Sequence, residues 1–422
     1  MTSVIRAATW LAAILSMGGV LVPSQAVAAP PDPVAFYDAP TDMSGRAPGD
    51  VLRSEPMPLP VLRPLVDATG TRIMYRTTDA HGNPAAGTGT VLEPARPWTG
   101  PGPRPVVSLA VGTHGIGPQC RPSKMLGVVV DSEPPRTPFA EYETATLALL
   151  LGRGMAVAVT DYLPDSYLIS NAEAHAVVDA ARAAGRLGLP DVGPTSPVAF
   201  WGYSQGGHAV GAAAEQVSSY APEMNLRGAY VGSAPADLTE TLNYAEGTSL
   251  TGANGYVLNS LSTTYPETAP AIDRILDDAG RSMMHATTVQ CTTEIALNYG
   301  FHRSSEYTVD GSSVASALAA DPIVGPAVSA QRLGDSAPST PVFAVTGNAD
   351  EVDPQGMRRL AGQWCAAGAR VELLDVPLPK ILPGLLIGHV ADAATGALGG
   401  GLQWLTDRFA GAPAPDNCAA HR

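Results

Sequence analysis

Val198-Ala199-Phe200-Trp201-Gly202-Tyr203-Ser204-Gln205-Gly206-Gly207-His208-Ala209-Val210 passes from an apolar run, through a glycine-flanked serine, into an alanine-rich stretch that continues to Tyr220. The apolar run suits a strand buried on both faces, and the stretch after it suits a helix. Between them stands G-x-S-x-G, whose glycines let strand and helix backbones approach while the turn lifts the serine hydroxyl clear of the sheet. The N–H of Gln205, at the helix start, then points to where negative charge would develop on an attacked carbonyl. A plain glycine-rich turn would share the letters but not the strand and helix around them. His208 falls one turn beyond Ser204, so packing or local hydrogen bonding suits it better than the part of a base.

Outward from this turn, apolar runs recur at Pro105 to Val111, Met155 to Val159, Ala229 to Val231, Val342 to Val345 and Val371 to Leu374. Helical stretches alternate with them: Ala140 to Leu151, Ala172 to Leu187, Gln355 to Ala367 and Val390 to Phe409. Such alternation predicts an α/β protein with a mostly parallel central sheet. Ahead of it, Thr71 to Thr78 and Gly87 to Leu92 flank His81-Gly82-Asn83 as an antiparallel hairpin. Residues 236–340 contain no buried-strand run, while stretches such as Ala269 to Met284 read as helix. So long a connection carries structure of its own, and the interval is expected to be an inserted helical cap. The expected organisation is a signal peptide over 1–28, a Pro-rich irregular arm over 29–60, a core formed by 61–235 and 341–422, and the cap between the core segments.

The chain has 422 residues, 45% of them hydrophobic, and a formal net charge of −14, so it can bury a large core but presents no basic stripe for a nucleic acid. Arg6 precedes an apolar run broken by Gly18, Gly19 and Pro23, and Ala26-Val27-Ala28 has the form of a cleavage site. That pattern predicts export with cleavage near Ala28 rather than a membrane anchor. Export permits disulfides among Cys120, Cys291, Cys365 and Cys418, and spacing alone leaves three pairings open.

A serine on such an elbow belongs to the α/β-hydrolase arrangement, where acid and then base follow it on loops at the carboxyl ends of later strands. After Val342-Phe343-Ala344-Val345-Thr346 comes Gly347-Asn348-Ala349-Asp350-Glu351-Val352-Asp353-Pro354. Asp350, Glu351 and Asp353 compete there; Asp350 is preferred as the acid, and Asp353 reads as the cap of the helix opening at Pro354. For the base, His285 and His302 fall in the expected cap and His421 at the terminus, which leaves His389 in Ile387-Gly388-His389-Val390. The glycine-rich loop Gly112-Thr113-His114-Gly115-Ile116-Gly117 after an early strand is the expected source of a second oxyanion donor, the N–H of His114 or Gly115. No His/Cys/Asp cluster has zinc-ligand spacing, so neither metal nor cofactor is expected.

Gly112-Thr113-His114-Gly115, Cys120-Arg121-Pro122-Ser123, Gly202-Tyr203-Ser204-Gln205-Gly206-Gly207-His208-Ala209, Gly347-x-x-Asp350-Glu351-Val352 and Trp404-Leu405-x-Asp407-Arg408-Phe409-x-Gly411 together resemble the microbial secretory lipases of the lipase A type. The likeness runs from Phe36-Tyr37 to Cys418. It implies a triacylglycerol lipase or broad esterase with a helical cap over its acyl site and a C-terminal segment near the mouth. By that resemblance Ser204, Asp350 and His389 match the triad, and the N–H groups of His114 and Gln205 match the oxyanion hole. It also implies pairing of Cys120 with Cys291 and of Cys365 with Cys418. His114 stands where relatives vary in side chain, which leaves substrate preference open. The expected substrate is a small-molecule or lipid ester, met by a monomer that touches a lipid interface transiently. Rival readings are a short-chain esterase, an exported peptidase using the same residues, and a non-catalytic binding protein on the same scaffold.

Overall fold

The computed structural model describes residues 34–127 and 141–421; the expected signal peptide, the first residues of the arm and Ala140 lie outside them. Its strands are β1 (Val51–Met57), β2 (Ala68–Thr78), β3 (Pro84–Pro94), β4 (Val106–Ala110), β5 (Ala156–Thr160), β6 (Val198–Tyr203), β7 (Leu226–Gly232), β8 (Val342–Gly347) and β9 (Val371–Val376). They form one sheet in the order β1-β2-β3-β5-β4-β6-β7-β8-β9. The pairs β1–β2, β2–β3 and β3–β5 are antiparallel, and every pairing from β5 through β9 is parallel. Every residue of β4 and β5 is buried, as expected for strands covered on both faces.

Three sequence expectations are corrected. The irregular arm ends earlier than expected, because residues 51–57 form β1 at the sheet edge. Arg53, Glu55 and Pro56 disguise it, since charges and a proline are what an edge strand tolerates and a central one does not. The single helix expected over Ala269 to Met284 is two, Ala269–Ile275 and Asp278–Thr287; Leu276 turns extended and the Asp277 carboxylate caps the second by accepting from Gly280 N–H at 2.8 Å. The helix expected over Val390 to Phe409 is Ile387–Gly396 and Leu402–Phe409, joined by Ala397–Gly401. Its glycines lower helix propensity and make room: a Cβ at Gly396 or Gly401 would run into the Tyr230 side chain.

Residues 236–340 leave the sheet after β7 and return at β8. They hold the helices Leu238–Tyr244, Ala253–Thr264, Ala269–Ile275, Asp278–Thr287, Thr292–Tyr299, Val314–Ala320 and Val324–Ser329. Their apolar side chains, among them Tyr256, Leu258, Leu261, Ile272 and Leu318, make a core apart from the one around the sheet. Both disulfides are formed, Cys120–Cys291 between the core and this insertion, and Cys365–Cys418 between the Pro354–Ala366 helix and the C-terminal segment.

Candidate active site

β6 ends at Tyr203, and Ser204 follows at φ 62° and ψ −127°, a left-handed backbone that a side-chain-bearing residue keeps only where its surroundings impose it. Here they do. Ser204 N–H donates to Gly232 C=O at 3.0 Å, and Ser204 C=O accepts from His208 N–H at 3.1 Å. The neighbouring glycines are required by contact: a Cβ on Gly206 would strike the Ala110 carbonyl, and one on Gly207 the Gly232 carbonyl. Gln205 opens the helix Gln205–Tyr220, so its N–H has no acceptor inside that helix.

Asp350 lies in the loop after β8, and His389 in the first turn of the Ile387–Gly396 helix. The structure brings them together: His389 Nδ1 donates to Asp350 Oδ1 at 2.7 Å. Asp350 also accepts from Val352 N–H at 2.7 Å, from the Tyr203 hydroxyl at 3.2 Å and from the Ser233 hydroxyl at close range. Burial would raise its carboxyl, but the charge and hydrogen bond of His389, with the hydrogen bonds of Ser233 and Val352, together outweigh burial and hold it below its ordinary value. Burial likewise opposes charging of His389, yet Asp350, with Glu351 and Asp392 behind it, raises the ring above its ordinary 6.5. The Tyr203 and His389 rings lie 4.8 Å apart, which sets His389 beside the end of β6. Among the described residues no hydrogen bond joins Ser204 Oγ to His389, and such contacts tighten when substrate is present.

The two competing acids have other work. Glu351 accepts from the backbone N–H of His389 at 3.0 Å, fixing the main chain of that residue. Asp353 caps its helix, accepting from Gln355 N–H at 3.0 Å and Gly356 N–H at 2.9 Å. His208 is a satisfied core group: Nδ1 meets Glu173 at 2.8 Å, while Nε2 lies 3.1 Å from Ser170 Oγ and 3.0 Å from Gln331 C=O.

The glycine-rich loop after β4 is anchored on two sides. Thr292, in the insertion, donates N–H to His114 C=O at 3.0 Å and its hydroxyl to Thr113 C=O at 2.6 Å. From the other side, Glu143 accepts from Gly112 N–H at 3.1 Å, and Glu141 meets the His114 ring at 3.0 Å. Sequence reasoning missed both acids, because Glu141 is 27 residues from His114 and no motif ties them. It also missed Asp392, one turn after His389 and completely buried, whose oxygens have no hydrogen-bond partner among the described residues. Gly347 makes its space, since a Cβ there would strike the Asp392 carboxyl; burial, then the charge of Asp350, push Asp392 up to about 7. A narrow cleft of about 30 Å³ lies between this loop and the one after β5, bounded by Gly112, His114, Tyr162, Leu163, Tyr167 and Gln205.

The sequence model of a family described as secretory lipase matches residues 132–417. A Mycobacterium tuberculosis protein named as a probable inactive lipase is 30% identical over 90% of this chain and 83% of its own length. Lipase 10 of Candida albicans is 28% identical over 92% of this chain and 83% of its own. A secreted triacylglycerol lipase of Malassezia globosa is 26% identical over 91% and 82%. Among solved structures, closed Candida antarctica lipase A superposes with a TM-score of 0.76 at 24% identity, covering 92% of this chain and 88% of that one. The rice cell wall degrading esterase LipA from Xanthomonas oryzae gives 0.69 at 19% identity, over 86% and 100%. These structural likenesses place the sheet and its helices in the α/β-hydrolase fold.

Proposed function

Since the chain belongs to the secretory lipase family, we propose that it is an exported carboxylic ester hydrolase, a triacylglycerol lipase or broad esterase, with Ser204 as nucleophile, His389 as base and Asp350 as the acid that orients it. The observation that carries this reading is Ser204 at φ 62° on the elbow, with the hydrogen-bonded His389–Asp350 pair beside the end of the same strand. His389 takes the Ser204 proton as the oxygen attacks an ester carbonyl, and Asp350 holds the ring in the tautomer that leaves Nε2 open. The N–H groups of Gln205 and His114 receive the oxyanion, the imidazolium returns its proton to the departing alcohol, and water later frees the acid.

Ile381, Leu382, Leu385 and Val390, all exposed, precede or share the helix that carries His389. An apolar edge there fits transient contact of a monomer with an aggregated lipid, in keeping with relatives named as secreted triacylglycerol lipases. The insertion 236–340 is read as the cap over the acyl site, and cleavage near Ala28 as the route out of the cell. A relative named as a probable trichothecene esterase favours a second reading, a short-chain esterase. Purified protein is assayed on p-nitrophenyl esters from acetate to palmitate and on a triolein emulsion, alongside Ser204→Ala. Hydrolysis of palmitate and triolein, with a fall in kcat of about 10⁴-fold or more in Ser204→Ala, is expected. Turnover of acetate alone selects the esterase, and equal rates in variant and wild type reject the nucleophile.

A further inference from the structure

The ring of His114 is buried at the base of the proposed oxyanion loop, and both of its nitrogens face oxygen acceptors. Nδ1 lies 2.8 Å from the carbonyl of Gly112, which can only accept. Nε2 lies 3.0 Å from each carboxylate oxygen of Glu141. Tyr142 stacks on the ring with centroids 4.5 Å apart, and its hydroxyl is 3.2 Å from Nδ1. That hydroxyl donates its proton to Thr113 C=O at 2.9 Å, so it presents a lone pair to the imidazole. A neutral imidazole has one N–H and would turn its bare nitrogen towards an oxygen lone pair; an imidazolium satisfies both sides.

We propose that His114 is a positioning residue held as an imidazolium, clamped between Gly112 and Glu141, which fixes the peptide carrying the oxyanion donor and sets a buried positive charge beside it. The proposal rests on the reading of Ser204 as nucleophile. Charged and neutral groups around the ring fit it. Glu141 accepts Glu143 N–H at 2.9 Å as well as facing the His114 ring. Burial, then the charge of Glu141, raise the neighbouring Glu143 above its ordinary value. Burial opposes charge on His114, but the charge and hydrogen bond of Glu141 and the carbonyl of Gly112 prevail and raise it. From the loop after β5, Tyr167 reaches Thr113 at 3.0 Å; the insertion adds Thr292, which carries no charge. The clamp thus joins the loop to the Glu141–Thr144 turn, as Thr292 joins it to the insertion.

The direct test is the ¹⁵N spectrum of the imidazoles in wild-type protein, with His114 assigned by its loss in His114→Gln. Both His114 nitrogens are expected to be protonated at neutral pH, and a neutral ring there overturns the proposal whether or not the variants fold. In kinetics, His114→Gln and Glu141→Gln are expected to lower kcat about 10- to 100-fold with KM within about twofold, the cost of a misplaced donor. Glu141→Gln loses rate first on the alkaline side, where the His114 ring, deprived of the carboxylate charge, gives up its proton. Unchanged kcat in folded variants rejects the role of His114 while leaving Ser204 in place. Labelling of wild type by a fluorophosphonate separates the two failures: a wild type neither labelled at Ser204 nor active overturns both readings.

Discussion

His389 is held at two points, by Asp350 through its ring and by Glu351 through its backbone N–H. The first contact decides when the ring is available. A base must be neutral to accept the Ser204 proton, and the surrounding carboxylates raise the ring above 6.5. The rate therefore rises with pH through that raised value, and kcat/KM for a soluble ester is expected to show an acid limb with its midpoint above 6.5. Asp350→Asn removes the charge that supports the imidazolium, so the limb moves to lower pH while kcat falls about 10⁴-fold through loss of the productive tautomer. A limb left in place by Asp350→Asn would show that another group controls it. Ser233 and Tyr203 keep the carboxylate of Asp350 hydrogen-bonded on its other oxygen, so Ser233→Ala is expected to move the limb less than Asp350→Asn does.

The helix Ile387–Gly396 carries the proposed base, His389, at its start and Asp392 one turn later, packed over Gly347 at the end of β8. In the unfolded chain Asp392 releases its proton near 3.8, and in the fold near 7. Below the first value both states are protonated and the group is neutral for stability; between the two the unfolded chain ionises and the fold does not, so stability falls as pH rises. Asp392→Asn removes that cost, at most about 4 kcal/mol, and should stabilise the protein more at about pH 8 than at about pH 4, as read from urea midpoints. A gain equal at both pH values would mean that Asp392 enters the fold already ionised. At this scale the sequence was partly legible. The elbow, the buried strands and the loop after β8 could be read because each depends on neighbours in the chain: glycines beside Ser204, apolar runs, an acid after a strand. β1 was hidden by its edge-strand charges, and Glu141, Glu143 and Asp392 by being tied to the site only through space. His389 was reached by elimination among few histidines, and His114 was chosen for its backbone while its ring waited on Glu141.

The described residues form one sheet with an insertion between β7 and β8, and the two disulfides stand in different relations to the proposed site. Cys120–Cys291 bridges the core and the insertion across a sequence separation of 171, next to the proposed oxyanion loop on one side and to Thr292 on the other. Gly115, at φ 122°, is enclosed by the Cys120 sulfur, the Gln290 carbonyl and the Tyr256 hydroxyl, so the loop is shaped against this bridge. Cys365–Cys418 spans 53 residues and fastens the C-terminal segment, where Asn417 also hydrogen-bonds β9 through the N–H and C=O of Leu373 at 2.9 Å each. In the loop-entropy account the bridges contribute about 5 and about 4 kcal/mol respectively, less any native strain. Their effects on turnover should differ more than their effects on stability. Cys120→Ala/Cys291→Ala frees the insertion from the oxyanion loop, so kcat is expected to fall several-fold at a temperature where the fold persists. Cys365→Ala/Cys418→Ala loosens a segment held at the start of β9, the end of the parallel sheet opposite to the one Ser204 follows, so its unfolding midpoint drops while kcat holds. Urea unfolding and steady-state kinetics on both double variants measure this, and equal losses of kcat would show that the first bridge supports the whole molecule rather than the loop beside it.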